Sequence, residues 1–181
     1  METLENIGRR AKAAARQMAV AGTACKNRAL EAMAASLEAH TAEILAANAA
    51  DLEAAVAAGM SVSLQDRLRL TAERIAGMAA GVREIITLTD PVGEVMEGSR
   101  RPNGLQILKT RVPLGVVGII YEARPNVTSD AAALCLKAGN AVILRGGKEA
   151  IRSTLALAAA LRQAVAEAGL PEDAGELLED T

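Results

Sequence analysis

Residues 111–150, RVPLGVVGIIYEARPNVTSDAAALCLKAGNAVILRGGKEA, constrain the fold more than any other stretch. Val116-Val117-Gly118-Ile119-Ile120 is apolar, too short for a buried helix and rich in β-branched side chains, so it predicts a buried strand. A polar turn follows from Tyr121 to Asn126, in which Pro125 disfavours helical geometry at Arg124 and itself suits a helix start. Thr128, Ser129 and Asp130 then open an Ala/Leu-rich helix that Gly139-Asn140 stops. Ala141 to Leu144 predicts a second buried strand, closed by the loop Arg145-Gly146-Gly147-Lys148, and a new helical period starts near Glu149. This order of elements predicts an α/β fold built on a right-handed βαβ unit with buried parallel strands.

Ligands of open parallel sheets sit at the carboxyl ends of the strands, where both polar turns lie. The second turn suits an anion. Gly146 and Gly147 permit close backbone approach, Arg145 and Lys148 add charge, and the next helix offers free N–H groups. The expectation is a nucleotide or phosphate site; the alternative is a solvated loop with two surface cations. The loop is neither a Walker loop nor a G-x-G-x-x-G fingerprint, so neither mechanism applies.

The flanking sequence is helical before the unit and repeats its logic after it. Leu4, Ile7, Ala11, Ala14 and Met18 mark one amphipathic helix over residues 2–19, with Arg9, Arg10, Lys12 and Arg16 largely on its polar side. Glu2 and Glu5 make that side an ordinary solvated face rather than a targeting helix. Thr23 is the expected N-cap of a second helix through Leu30, Met33 and Leu37 to His40. Thr41 is the expected cap of a third, carrying Ile44, Leu45, Leu52 and Val56 to Gly59. A short turn of helix spans Leu64 to Leu68, and Thr71 caps a fifth helix with Ile75, Met78, Val82 and Ile85 inward. Gly93 to Met96 and Leu105 to Thr110 then flank Pro102-Asn103-Gly104 as a β-hairpin. After Ser153-Thr154, Leu155, Leu157, Leu161 and Val165 form a helix ended by Gly169-Leu170-Pro171. Ala174 to Leu178 is the place for a third parallel strand, whose outer edge and face would lie uncovered.

Composition narrows the function. Half of the 181 residues are hydrophobic, yet Tyr121 is the sole aromatic, so the core must be Leu, Ile, Val, Met and Ala with helices packed close. A net charge of −2 with mixed signs leaves no nucleic-acid footprint. No apolar stretch approaches a membrane span and no basic-then-apolar leader stands first, so the expectation is cytoplasmic, with no membrane partner. Cys25 and Cys135 match no metal or disulfide pattern. Cys25 falls in a first helical turn and is read as a small, partly buried side chain, the alternative being a reactive thiol. Cys135 is read as core packing, and His40, the only histidine, as a helix C-terminal residue.

The stretches IYEARPNVT and CLKAGNAVILRGGKE closely resemble γ-glutamyl phosphate reductases, a family of the aldehyde dehydrogenase superfamily that serves proline biosynthesis. The resemblance runs from the amino terminus to Thr181 and covers about the first half of the family's usual chain. It implies a helical part of a cofactor-binding domain over 1–90 and a hairpin over 91–112 that contributes to homo-oligomer pairing. Over 113–181 it implies a truncated, Rossmann-like NADP-binding unit. The implied reaction is NADPH-dependent reduction of the small-molecule substrate L-glutamate 5-phosphate (γ-glutamyl phosphate) to L-glutamate 5-semialdehyde with release of phosphate. In such enzymes a cysteine thiolate displaces phosphate to give a thioester, which hydride then reduces. The family places that cysteine beyond Thr181, so the chain is expected to be inactive alone. The alternatives are a non-catalytic nucleotide-binding or partner-binding module and a product that does not fold independently.

Site residues follow from the same resemblance. Ile119, Ile120 and Tyr121 should line the nicotinamide side of the groove. Arg145 matches a superfamily lysine that reaches the adenosine ribose, and Gly146, Gly147 and Lys148 follow in that loop. Lys148 stands where NAD-preferring relatives place an acid, which implies NADP. Ala123 occupies the place of an oxyanion-donating asparagine found in many superfamily members, leaving Asn126 as a substitute donor or as a helix cap. Glu122 and Arg124 are candidate contacts for the substrate's charged ends, unless they pair with each other.

Overall fold

The computed structural model describes residues 3–179; Glu2 and Thr181 lie outside them. Helices α1 (Leu4–Met18), α2 (Thr23–Ala39), α3 (Thr41–Ala57), α4 (Val62–Leu68) and α5 (Ala72–Thr87) come first. Strands β1 (Val95–Arg100) and β2 (Gln106–Thr110) form the hairpin. Then follow β3 (Val116–Ile120), α6 (Asn126–Lys137), β4 (Ala141–Arg145), α7 (Ile151–Glu167) and β5 (Gly175–Leu177). The last three strands make a parallel sheet in the order β3-β4-β5, with Ile120 in register with Arg145.

The predicted elements are present, and their start and stop chemistry explains most boundaries. The Thr71 hydroxyl accepts from the Arg74 N–H at 3.1 Å and caps α5. Gly139 takes φ 73° just past α6, where a Cβ would strike Pro113 Cγ at 2.9 Å. In the hairpin, Gly104 sits at φ 88° after Pro102-Asn103 and donates to the Arg101 carbonyl at 2.9 Å. Two expected caps are overturned. Gly22 caps α2, and the Thr23 hydroxyl donates instead to Asp90 at 2.7 Å. His40 ends α2 and starts α3, so Thr41 is already helical and its hydroxyl turns back to the carbonyls of Leu37 and Glu38. A junction this tight leaves no extended residue from which Thr41 could reach a free N–H. Helix α6 likewise begins at Asn126, before Thr128-Ser129-Asp130, because Pro125 already has helical φ and ψ. After β4 a 3-10 turn over Lys148–Ala150 leads into α7, as the period starting near Glu149 predicts, and Ser153 and Thr154 are buried inside that helix.

The main core lies where α2 meets α5, α6 and α7. Leu30, Met33, Leu37, Ile75, Val82 and Leu157 are buried there. Each such large side chain contributes roughly 1.5–3 kcal/mol by leaving water. Ala29, Ala34, Ala79, Ala133 and Ala164 stand at the contacts and let helices approach closely, as a core without Phe or Trp requires. A second cluster joins Val142, Leu144 and Leu177 of the sheet to Ala131 and Ala158 of α6 and α7. The opposite face of the sheet meets α1, whose Arg10 binds the buried Glu176 of β5 at 2.7 Å, while Arg162 of α7 binds its other oxygen at 3.0 Å.

Several apolar positions lie outside these cores. Leu4 and Val56 are exposed, contrary to expectation. Leu4 precedes the packed stripe of α1, and the inward stripe of α3 is Ile44, Asn48, Asp51 and Ala55, which turns Val56 away. β3 is not a buried strand. Among the described residues it is an outer strand paired only with β4, and Ile120 is 78% exposed. β5 is the other outer strand, as expected, but the expected uncovered face is corrected, since its Glu176 and Leu177 are buried. Uncovered apolar surface lies instead on β3 and on the hairpin, both of whose strands are exposed throughout.

Lys26, only 1% exposed, pairs with Asp90 across the start of α2. Burial pushes the Asp90 carboxyl up, but hydrogen bonds from Lys26, Thr23 and the Val92 N–H outweigh it and hold it below the usual Asp value. A depressed folded value stabilises the fold above the unfolded pKa of about 4, and that contribution is lost as pH falls through the lower folded value. Asp90→Asn should therefore flatten the acid limb of stability. It should also cost about 3–5 kcal/mol at neutral pH by leaving Lys26 buried and unpaired. Urea unfolding of both proteins at neutral and acid pH checks this; parallel acid limbs would contradict it.

Candidate functional site

The two polar turns meet at the carboxyl ends of β3 and β4. The Tyr121 N–H donates to the Arg145 carbonyl at 3.0 Å and extends the ladder by one bond. The Tyr121 hydroxyl lies 2.8 Å from Thr128 Oγ1 on α6. Burial pushes the Tyr121 phenol up, against the hydrogen bonds of Thr128 and Thr154. Tyr121 is thus a fixed strut between strand and helix.

The pleat divides the expected cofactor residues. Ile119 and Tyr121 pack with the cluster under α6 and α7. Ile120 projects on the other face beside its register partner Arg145. Among the described residues the side chains of Arg145 and Lys148 have no polar partner; Arg145 is half-buried and Lys148 exposed. An open apolar side chain next to two unpaired cations fits the donor set a phosphorylated dinucleotide needs.

The glycines and the helix start do other work than expected. A Cβ on Gly146 would lie 3.5 Å from the Tyr121 ring and 3.3 Å from Thr154 Oγ1. One on Gly147 would meet Glu149 Oε2 at 2.7 Å and the backbone of Glu122 and Ala123 at 3.4 Å. The tightest neighbours of these glycines are therefore Thr154 and Glu149, with the first turn at ordinary packing distance. Nor are the first N–H groups of α7 free. Asp51 of α3, 2% exposed, accepts from the Ser153 N–H at 2.8 Å, from the Ser153 hydroxyl at 2.7 Å and from the Arg152 N–H at 3.3 Å. The chain supplies its own anion to that helix. Asn48, one turn earlier, donates to the Leu68 carbonyl and to Ser153 Oγ, and accepts from the Leu70 N–H. The trace of this in sequence is two polar residues spaced 48 and 51 on the stripe of Ile44 and Ala55.

At the first turn, Glu122 and Arg124 form no ion pair with each other among the described residues, and both are exposed. Asn126 does not cap α6: its amide donates along the helix to Asp130 Oδ2 at 3.2 Å. Burial pushes the half-buried Asp130 carboxyl up, against that hydrogen bond and one from Ser129. The turn also faces an open cleft of about 410 Å³, lined by Arg67, Arg69 and Arg74 together with Arg124, Asn126 and Asp130. No local pattern marked the first three arginines, which the fold brings in from α4, α5 and the link between them.

The remaining candidates lie elsewhere. His40 Nδ1 sits 2.9 Å from the Ser36 carbonyl at the end of α2. Cys25 Sγ lies 4.0 Å from the Ala168 carbonyl, partly buried as expected. Cys135 is core, and burial pushes its thiol up. No metal-binding cluster occurs, and no helix is long and apolar enough to cross a membrane, among the described residues.

A parallel sheet flanked by helices agrees with the family comparison. The chain belongs to the aldehyde dehydrogenase family, whose model matches residues 1–180. Within that family it is similar to γ-glutamyl phosphate reductases. It is 56% identical to that of Mesorhizobium japonicum over 98% of this chain, and 59% identical to that of Heliobacterium modesticaldum over 96%. It spans about 42% of the length of these relatives. The crystal structure of the Thermotoga maritima γ-glutamyl phosphate reductase superposes with a TM-score of 0.98 at 41% identity, covering 99% of this chain and 44% of that one. The Saccharomyces cerevisiae enzyme gives 0.92 at 29% identity, covering 99% and 47%. The family implies a nicotinamide cofactor.

Two substitutions test this geometry. Asp51→Ala strips the start of α7 of its buried acceptor and should destabilise by about 2–4 kcal/mol in urea unfolding, with Asp51→Asn recovering part of that. Gly147→Ala should cost little, because the Glu149 carboxylate it meets is the end of a flexible side chain. Gly139→Ala, at positive φ and against Pro113, should cost about 1–2 kcal/mol or more. A Gly147→Ala loss equal to that of Gly139→Ala would refute the assignment.

Proposed function

We propose that this chain is the cofactor-binding portion of a γ-glutamyl phosphate reductase, which reduces L-glutamate 5-phosphate to L-glutamate 5-semialdehyde with NADPH in the cytoplasm for proline biosynthesis. The reading is carried by the identity of 56–59% to such enzymes over nearly the whole chain. In this reading residues 1–90 are the helical part of the cofactor domain and 113–181 its strand unit. The 91–112 hairpin, with Val95, Met96, Ile107 and Leu108 exposed, pairs subunits.

NADPH, when bound, would supply the hydride for this reduction. The chain's own residues bind and orient. Ile120 offers apolar surface to the nicotinamide side, with Ile119 and Tyr121 fixing the strand beneath it. Arg145 reaches the ribose, and Lys148, exposed on the following loop, holds the 2′-phosphate. Gly146 and Gly147 keep this loop against the first turn. Asn126, oriented by Asp130, aims an amide N–H at the developing oxyanion, and Glu122 and Arg124 flank the substrate. Neither Cys25 nor Cys135 opens on these residues, so the nucleophile lies outside this chain and the chain alone is inactive.

Lys148→Glu should weaken NADPH binding about tenfold or more and leave NADH binding unchanged, as read by fluorescence titration. Equal NADPH affinities in the two proteins would remove Lys148 from the site, and turnover by the isolated chain would refute the division of labour.

A further inference from the structure

The cleft beside the first turn carries charge that the cofactor does not use. Arg67 lies in the last turn of α4, Arg69 stands in the link to α5, and Arg124 comes from the turn before α6. Their guanidinium groups have no hydrogen bond or ion pair among the described residues. Arg74 differs. It donates to the carbonyls of Asp66 and Arg69 at 2.7 Å each and to Asp66 Oδ1 at 3.1 Å. It is therefore the strut that shapes the α4–α5 link, and it neutralises Asp66. The remaining acid in the cleft, Asp130, is held by the Asn126 amide. Three unpaired arginines thus converge from separate elements against one engaged aspartate, in a chain whose net charge is negative. These arginines are exposed, so water and salt screen their mutual repulsion, and an anion between them would relieve what remains.

The cleft also has room and continuity. Its volume is about 410 Å³, and a second cavity of about 210 Å³ lies alongside it, lined by Tyr121, Glu122 and Val127. Arg67 and Arg124 line both. A planar guanidinium matches a carboxylate or phosphoryl group with two parallel hydrogen bonds, so this pair suits an extended molecule with an anionic end rather than a lone halide.

We propose that Arg67, Arg69 and Arg124 form an anion-recognition site for a charged end of a small acidic substrate, in the cleft between the α4–α5 link and the start of α6. The assignment deepens the reductase reading, on which the identity of the ligand rests. The shared chemistry is that of a carboxylate or a phosphoryl group.

The test titrates the 181-residue chain with glutarate and, separately, with inorganic phosphate, following arginine Nε–H resonances by NMR, with NADPH binding measured alongside. Saturable shifts at Arg67 and Arg124 are expected. Arg67→Gln with Arg124→Gln should weaken anion binding about tenfold or more and leave NADPH binding unchanged. Tighter glutarate binding would assign the site to a carboxylate, tighter phosphate binding to the phosphoryl group. Absence of saturable shifts in a chain that melts cooperatively, or equal anion affinity in the double variant, would overturn the proposal even where NADPH binds. Anion binding that depends on both arginines without NADPH binding would sustain the site and sink the cofactor reading instead.

Discussion

The fold depends on a carboxylate that never reaches solvent. Asp51 sits on the inward stripe of α3 and takes the first N–H groups and the Ser153 hydroxyl of α7. Helix α7 is the brace of the domain: one side packs on α2 and α3, the other on the sheet. Fixing its first turn fixes where β4 ends and where the Arg145–Lys148 loop begins. Asn48 joins the same node to the α4–α5 link by holding the Leu68 carbonyl and the Leu70 N–H. One polar node thus positions both the loop proposed for cofactor and the link that carries the proposed anion site. A buried acid is tolerated here because every acceptor direction it offers is used by α7.

Much of the architecture was legible because it rests on local chemistry. Strand, helix and strand over 116–145 followed from period, β-branching and Gly139, and the hairpin from Pro102-Asn103-Gly104. Helix existence was equally plain from Ile7–Met18, Leu30–Leu37 and Ile75–Val82. The failures were of two kinds. Thr23 and Thr41 carry the right side chains for caps, but Asp90 and the tight α2–α3 junction offered their hydroxyls other partners. The burial of Val116–Ile120 was misjudged because apolar composition reports what a strand could face, not which neighbours it has.

The site was legible in its location and less so in its roles. Strand ends and polar turns marked the place, and Arg145 and Lys148 stand open there. Sequence gave no way to see that Gly146 and Gly147 answer to Tyr121 and Glu122, because that contact spans more than twenty residues of chain. The Arg67, Arg69 and Arg124 cleft was invisible for the same reason: each arginine alone is an ordinary surface cation, and only the fold makes them converge. Asp51 is the intermediate case, since a polar residue on an otherwise apolar helical stripe is a readable anomaly even when its partner is not.

The contact between the two turns has a mechanical consequence. The Tyr121 N–H grips the Arg145 carbonyl, and Gly147 packs beside Glu122 and Ala123. The segments on either side of the strand ends therefore move as one block. A displacement of a few tenths of an ångström imposed on the loop by whatever occupies it cannot dissipate there; it is delivered to Arg124 and Asn126. Occupancy on one side would then set the shape offered on the other, through stiffness rather than through any hinge.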